Sequence, residues 1–414
     1  MKAHGEITPP PDKSITHRCF MIGSLAHGTT VIRNALESED IASTRKALAA
    51  LGASIRKDGD SYLVDGSTLR EPTHVVDAGN SGTTARLVSG IVSGIEGITV
   101  MTGDESLIKR PMARVIKPLE LMGARFMARS GSFLPMAVRG GKLRGIFHPM
   151  EVASAQVKSA LLLAGLFAEG TTTVNEPSTS RDHTERMLAG FGATVEVRSK
   201  SVSVTGPQQL TAREITVPGD PSSAAFPVVW AAATPGSSVL IRGVCLNPTR
   251  TGFLRVLERM GACIAIENEK LQAGEPVGDL VVKGSHLKAV TITAEEVPSL
   301  IDEIPALVVA AALAEGTTVI TGARELRVKE TDRISAMVEG LTRLGATVEE
   351  LEDGLIVNGP ARLSPASVRT FSDHRIAMSF AVLARASDTE IGIDDPSCVR
   401  ISYPRFFEDM DSLA

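Results

Sequence analysis

Two short patterns return through the chain at a nearly constant interval, and they limit its fold more than any other property. The first joins a helix end to a glycine and a β-branched strand: AHGTTVIRN at Gly28, IEGITVMTG at Gly97, AEGTTTVNE at Gly170, TPGSSVLIRG at Gly236 and AEGTTVITG at Gly316, with a degenerate sixth, RASDTEIGID, near 387. The second reads LGASI at Gly52, MGARF at Gly123, FGATV at Gly192, MGACI at Gly261 and LGATV at Gly345. The first four of these lie 71, 69 and 69 residues apart, and the fifth follows after 84. A glycine that closes a helix in the left-handed conformation avoids the Cβ clash other residues meet there. Each unit therefore predicts an Ala/Leu-rich helix closed by glycine, a strand, a loop, and an amphipathic helix such as DIASTRKALAALGA. A β-hairpin ending in YLVDG, VSVTG, LVVKG or LIVNG completes it. One such βαβαββ module cannot bury both helices and its sheet, whereas three can share a core. Six units predict an α/β protein of two lobes, three units in each. A solenoid without chemistry is the bland alternative, but solenoid periods usually run to about 20–50 residues.

The lobes are expected to be 1–10 with 219–414 and 11–218, with the chain crossing near 9–11 and 217–221, where Pro and Gly suit hinges. A chain of 414 residues is too long for one ordinary core, and 43% hydrophobic against 22% charged residues excludes disorder. The net charge of −5 leaves no global basic field for nucleic acid or anionic membrane, so any anion site must be local. Four scattered cysteines without a CxxC pair predict buried, reduced thiols and a cytoplasmic protein. Neither a signal peptide nor an apolar run of ~18 residues is read.

The copies differ most where each first helix opens. In order the openings are PDKSITHR (11–18), GNSGTTAR (79–86), VASAQVKSA (152–160), GDPSSAAF (219–226), LIDEIPA (300–306) and FSDHRIAM (371–378). Helix starts present unpaired N–H groups and the positive end of the dipole, which suits them to anions; Ser, Thr, Asp and Asn there also read simply as N-caps. Lys13, Arg18, Arg86, Lys158 and Arg375 fall at these openings. Lys109–Arg110, Arg181 and the RVKETDR segment (327–333) fall in loops before second helices. So many cations at helix starts of an acidic protein point to anionic substrates, since Arg binds carboxylate or phosphate bidentately and Lys acts as a point charge. Asp302 and Glu330 stand among them as candidates for proton transfer. Each also has a plain reading, Asp302 as an N-cap and Glu330 as an i,i+3 partner of Arg333. No GxxxxGK[ST], GxGxxG, GxSxG or HExxH motif occurs, and His17, His183 and His374 have no ligand spacing, so no cofactor and no metal is expected.

From about residue 7 to the C-terminus the chain resembles the 5-enolpyruvylshikimate-3-phosphate (EPSP) synthases, through DKSITHR, GNSGTTARL, KRPM, SAQVKSALLLAGL, RVKETDR, SDHRIAM and YPRFF. The resemblance implies an inside-out α/β barrel of two lobes, each of three βαβαββ units. It implies that phosphoenolpyruvate and shikimate 3-phosphate give EPSP and phosphate through a tetrahedral intermediate. By motif, Lys13 would contact both substrates, while Ser14, Arg18, Ser154, Gln156, Arg181, Asp302 and Lys329 would hold shikimate 3-phosphate. Asn80, Gly82, Arg110, Gln156, Arg333 and Arg375 would hold phosphoenolpyruvate. Asp302 would be the base at the 5-hydroxyl and Glu330 the proton donor to the methylene carbon. Ile401 in CVRISYP replaces a lysine of one branch, which together with RDHTER, NPTR and SAQ is similar to the second, glyphosate-tolerant branch. Gly82 nevertheless stands where that branch often has Ala.

The competing readings are a UDP-N-acetylglucosamine enolpyruvyl transferase, an RNA 3′-phosphate cyclase and a non-catalytic anion-binding scaffold. The first would have Lys-Asn in place of Lys13-Ser14 and a cysteine in the SLIKRPMAR loop; the second would need a nucleotidyl His and a basic face. In the scaffold, Asp302 and Glu330 would only repel the anions held. The expectation is a monomeric cytoplasmic enzyme acting on small anions between its lobes, which close as anions bridge their cations, with no nucleic-acid or membrane partner.

Overall fold

The computed structural model describes residues 1–66, 69–272 and 274–414. It divides into two compact units. The first comprises Met1–Pro10, Pro218–Leu271 and Pro276–Ala414, and the second Pro11–Val217 with Gln272–Glu275.

In the second unit three sheets share one strand order. A short strand runs parallel to the strand after a first helix, and that strand pairs antiparallel with the last strand of the following hairpin. One row is Val76–Asp77, Gly97–Thr102, Phe133–Gly140, Arg125–Arg129, and a second is Phe147–Pro149, Gly170–Asn175, Ser201–Gly206, Val195–Arg198. In the remaining sheet the parallel partner of Ala26–Arg33 comes from the far end of the unit, as Leu210–Thr211 and Glu214–Thr216. The first unit repeats the order twice, around Ser238–Cys245 and Gly316–Ile320. A last pair, Ala366–Val368 with Ile391–Ile393, lacks the hairpin. Among the described residues each sheet is an open row and none closes on itself.

The glycines that reveal the repeat are demanded by this geometry. All ten have φ between 88° and 126°. Those of the second pattern end their helices, as Gly123 does after Ala113–Met122. Those of the first pattern do not cap a helix as the sequence suggested. The helix Lys13–Leu25 stops before Ala26, and Gly28 already lies inside the strand Ala26–Arg33. The hairpin's last glycine faces it: Gly28 pairs with Gly66, Gly97 with Gly140, Gly170 with Gly206 and Gly316 with Gly359. A Cβ on Gly206 would sit 2.2 Å from the carbonyl oxygen of Gly165, and one on Gly359 2.3 Å from that of Ala314. The strand thus passes against the end of its own helix, and only glycine fits.

The two helix types divide the packing. First helices such as Ile304–Leu313 are buried nearly all round and, with Pro221–Ala233 and His374–Ser387, form the core of the first unit around Trp230, Phe226 and Phe406. Second helices are two-faced: Gly252–Arg259 buries Phe253, Leu254, Val256 and Leu257 and turns Arg255 and Glu258 outward. Within each unit hydrogen bonds join the openings of the first helices, Arg18 to Ser159 and Gln156 to Thr83 in the second and Arg375 to the Asp302 carbonyl in the first. Three cysteines are buried as expected, but Cys263 opens a strand on an exposed face. Among the described residues no helix is long and apolar enough to cross a membrane.

Candidate active site

The second unit gathers cations and helix starts. Asp12 caps the helix Lys13–Leu25, its carboxylate accepting from the Ile15 N–H at 2.7 Å, and Lys13 in the first turn reaches the Asp40 carboxylate at 3.0 Å. Arg18, buried one turn further in, donates to Thr184 Oγ1 at 2.7 Å, to Ser159 Oγ at 2.8 Å and to the Ser14 carbonyl at 2.9 Å. It thereby ties this opening to the helix Ala155–Gly165. Ser154 caps that helix through the Val157 N–H, and Gln156 accepts from Arg86 Nη1 at 2.9 Å while donating to Thr83 Oγ1 at 3.1 Å. Arg86 and Thr83 belong to the helix Gly82–Ser93, which Ser81 caps and Asn80 precedes. A Cβ on Gly82 would lie 2.7 Å from Arg86 Nη1 and 3.3 Å from Arg110 Nη1, so both guanidinium groups sit over this helix start. Three openings distant in sequence are cross-linked by side chains of the predicted set. Arg181 stands just ahead of the helix His183–Gly190, partly exposed.

Lys158, one of the cations that drew attention to these openings, is not available to a ligand. Its ammonium is buried between Glu176 at 2.8 Å and Glu185 at 2.7 Å and also donates to the Ser180 carbonyl. Burial favours the neutral amine, but the two carboxylates outweigh it and raise the pKa. It is an internal brace that anchors the segment leading to Arg181.

The first unit gathers carboxylates around arginines. Asp302 does not cap the helix Ile304–Leu313, because a 3₁₀ turn, Ile301–Glu303, precedes that helix and Glu303 takes the cap position. Freed from capping, the Asp302 carboxylate lies 3.3 Å from Lys329 Nζ and 3.2 Å from Arg333 Nη1, and its backbone carbonyl accepts from Arg375 Nη1 at 2.7 Å. Glu330 makes the anticipated i,i+3 contact with Arg333, at 2.6 Å. Asp373, which caps the helix His374–Ser387, is the third carboxylate on this guanidinium, at 2.8 Å. Arg333 is 1% exposed. Burial opposes its charge, yet Asp373, Glu330 and Asp302 outweigh it and raise its pKa. A buried charge surrounded in this way is fixed in direction as well as in charge.

Asp373, Asp40 and the Arg250–Asp220 pair (2.9 Å) went unremarked in the sequence. Asp373 sits in the SDHRIAM segment already singled out, but its partner lies 40 residues away. Only the fold joins them. Among the described residues no cluster of His, Cys, Asp and Glu is arranged to hold a metal.

A fold of this kind is found in the enolpyruvyl transferase NikO from Streptomyces tendae, which superposes over the whole chain and 95% of its own with a TM-score of 0.79 at 17% identity. EPSP synthase from Acinetobacter baumannii is nearer, with a TM-score of 0.89 and 43% identity over the whole chain and 96% of its own. The 3-phosphoshikimate 1-carboxyvinyltransferases of Desulforamulus reducens and Geobacter sulfurreducens are 52% and 49% identical, covering 98% and 99% of this chain and 96% of each relative. The family described as EPSP synthase (3-phosphoshikimate 1-carboxyvinyltransferase) matches residues 1–410. The fold is a mixed α/β fold that matches the structure of EPSP synthase. The chain belongs to the EPSP synthase family.

Proposed function

We propose that the two clusters serve one reaction, the second unit supplying most of the anion-binding groups and the first the proton-transferring carboxylates together with Arg333 and Arg375. The reaction is the transfer of the enolpyruvyl group of phosphoenolpyruvate to shikimate 3-phosphate, giving EPSP and phosphate, as the family membership and the names of the relatives support. Lys13, Ser14, Arg18, Ser154, Gln156 and Arg181 hold shikimate 3-phosphate. Asn80 and the N–H groups at Gly82 face phosphoenolpyruvate, and Arg110, Arg333 and Arg375 neutralise its charges. Asp302 takes the proton of the 5-hydroxyl as its oxygen bonds to the central carbon of phosphoenolpyruvate. Glu330 delivers a proton to the methylene carbon, which gives a tetrahedral intermediate. On collapse that carbon returns a proton, the C–O bond to phosphate breaks, and the enol ether is restored. Proton transfer by positioned groups contributes about 10²–10⁴-fold and charge stabilisation a comparable factor.

The observation that carries this reading is the pairing of Asp302 with Lys329 and Arg333, and of Glu330 with the same Arg333. Two carboxylates held on one guanidinium are kept in fixed orientation. The five four-stranded or larger sheets of common order, with the hairpin-less pair as a reduced sixth, support an inside-out α/β barrel of three βαβαββ units per lobe. A cytoplasmic enzyme suits such water-soluble substrates. The test is phosphate release from phosphoenolpyruvate with shikimate 3-phosphate or UDP-N-acetylglucosamine as acceptor. Release with shikimate 3-phosphate alone is expected; release with the nucleotide sugar alone would overturn the reading.

A further inference from the structure

His17 lies in the opening of the helix Lys13–Leu25 but has no part in the roles above. It is wholly buried, as are Thr44 and Thr84, and Ser81 is 1% exposed. These four side chains form a continuous chain of hydrogen bonds across three helices. His17 Nδ1 is 2.6 Å from Thr44 Oγ1, Thr44 Oγ1 is 2.6 Å from Thr84 Oγ1, and Thr84 Oγ1 donates to Ser81 Oγ at 2.8 Å. Ser81 is the cap of the helix Gly82–Ser93 and also accepts the Thr84 N–H at 3.1 Å.

A hydroxyl has one proton, so the order of donation is determined. Thr84 gives its proton to Ser81, and must therefore accept from Thr44. Thr44 has a second acceptor in the Asp40 carbonyl, but at 3.5 Å that contact is far weaker than the one at 2.6 Å. With its proton committed to Thr84, Thr44 can only accept from His17, so Nδ1 carries the hydrogen and Nε2 the lone pair. Nε2 is buried without a hydrogen-bond partner among the described residues, which a bare lone pair tolerates better than an N–H would. Burial first, then the charges of Lys13 and Arg18, hold the imidazole pKa well below its ordinary range, so the ring is neutral.

The helix Glu39–Ala50 is the hub of this arrangement. One turn of it presents Asp40 to Lys13 and Thr44 to His17 and Thr84. Its next face packs on the loop ahead of Gly82 so closely that a Cβ on Gly79 (φ 56°) would be 2.6 Å from Ser43 Oγ. The openings that carry Lys13 and Gly82 are thus set against each other by one buried polar chain.

We propose that His17, as the neutral Nδ1–H tautomer, is a positioning residue for phosphoenolpyruvate, heading the relay His17–Thr44–Thr84–Ser81 that orients the start of the helix Gly82–Ser93. This rests on the assignment of that helix start to phosphoenolpyruvate. An Asn amide can place a donor where Nδ1 stands, whereas Gln mimics Nε2 and Leu offers no donor. His17→Leu and His17→Gln are therefore expected to raise the KM for phosphoenolpyruvate about five- to tenfold, the worth of one buried hydrogen bond, with the KM for shikimate 3-phosphate changed less than about twofold. His17→Asn should return to within about threefold of the parent, a rescue that loss of packing alone would not show. The ring ¹⁵N spectrum of the unmutated enzyme should show Nδ1 protonated and Nε2 bare. An Nε2–H ring, or equal defects in all three variants, overturns the proposal. Asn80→Ala separates it from its premise. If Asn80→Ala leaves the KM for phosphoenolpyruvate unchanged, the assignment of the helix start fails and the role of His17 falls with it. If Asn80→Ala raises that KM but the His17 series does not, the relay alone is refuted.

Discussion

Asp302→Asn is the sharpest test of the proton-transfer assignment, because the structure separates its catalytic from its structural cost. The substitution keeps the shape and retains an oxygen that accepts from Lys329 and Arg333, now at 3.3 and 3.2 Å from a carboxylate oxygen. Arg333 keeps Asp373 and Glu330, so no buried charge is left alone. The anchor that Arg375 provides is to the Asp302 backbone carbonyl and survives. The structural loss is therefore about that of weakening one charged hydrogen bond, ~1.5–3 kcal/mol, a small part of what a lone buried guanidinium would cost. The catalytic loss is that of a general base, about 10²–10⁴-fold in kcat. Steady-state phosphate release at saturating substrates reads kcat, calorimetric titration with shikimate 3-phosphate reads binding, and a urea melt reads stability. A kcat within about threefold of the parent refutes Asp302 as the base, since removal of such a group leaves a larger deficit. Lost turnover together with lost cooperative unfolding would refute the separation itself, and would show that the three-carboxylate cluster holds the fold rather than the chemistry.

Other substitutions test other parts of the structure. Lys158→Met leaves Glu176 and Glu185 buried without their cation and should cost about 3–5 kcal/mol in a urea melt. Burial already raises the Glu185 pKa, and without Lys158 it rises further, so the folded variant takes up a proton as pH falls. Its deficit against the parent should shrink from about pH 8 to about pH 5, and a deficit that grows would refute this. Gly82→Ala adds a Cβ at the first position of its helix and displaces the tips of Arg86 and Arg110. The melt should be unchanged while the KM for phosphoenolpyruvate rises; an unchanged KM would remove Arg110 from that site. Ellman's reagent should titrate Cys263 rapidly in the native protein. Cys19, Cys245 and Cys398 should react only on unfolding, because they are buried and burial pushes the Cys398 thiol up to about 12.

The sequence by itself determined where the turns and helix openings fall, though not which glycines cap a helix or which acidic residue takes the cap position of Ile304–Leu313. Its glycines mark positions where φ is positive or where a hairpin strand meets a helix carbonyl, and both follow from the missing Cβ, so the repeat was legible without coordinates. The helix openings were legible for the same reason: caps and unpaired N–H groups are local properties of a chain. What tertiary structure decided was the fate of each charge. Lys13, Arg18 and Lys158 look alike in sequence, each a cation within two turns of a helix start. Yet Lys13 meets a buried aspartate, Arg18 directs donors at two neighbouring helices, and Lys158 is shut between two glutamates. Asp302 left its expected cap because the chain forms a 3₁₀ turn before the helix, and Arg333 acquired Asp373 from 40 residues away. Periodicity and capping report bonds within a few residues. Pairing of buried charge depends on which helix ends the packing brings together, and that depends on contacts distant in the chain.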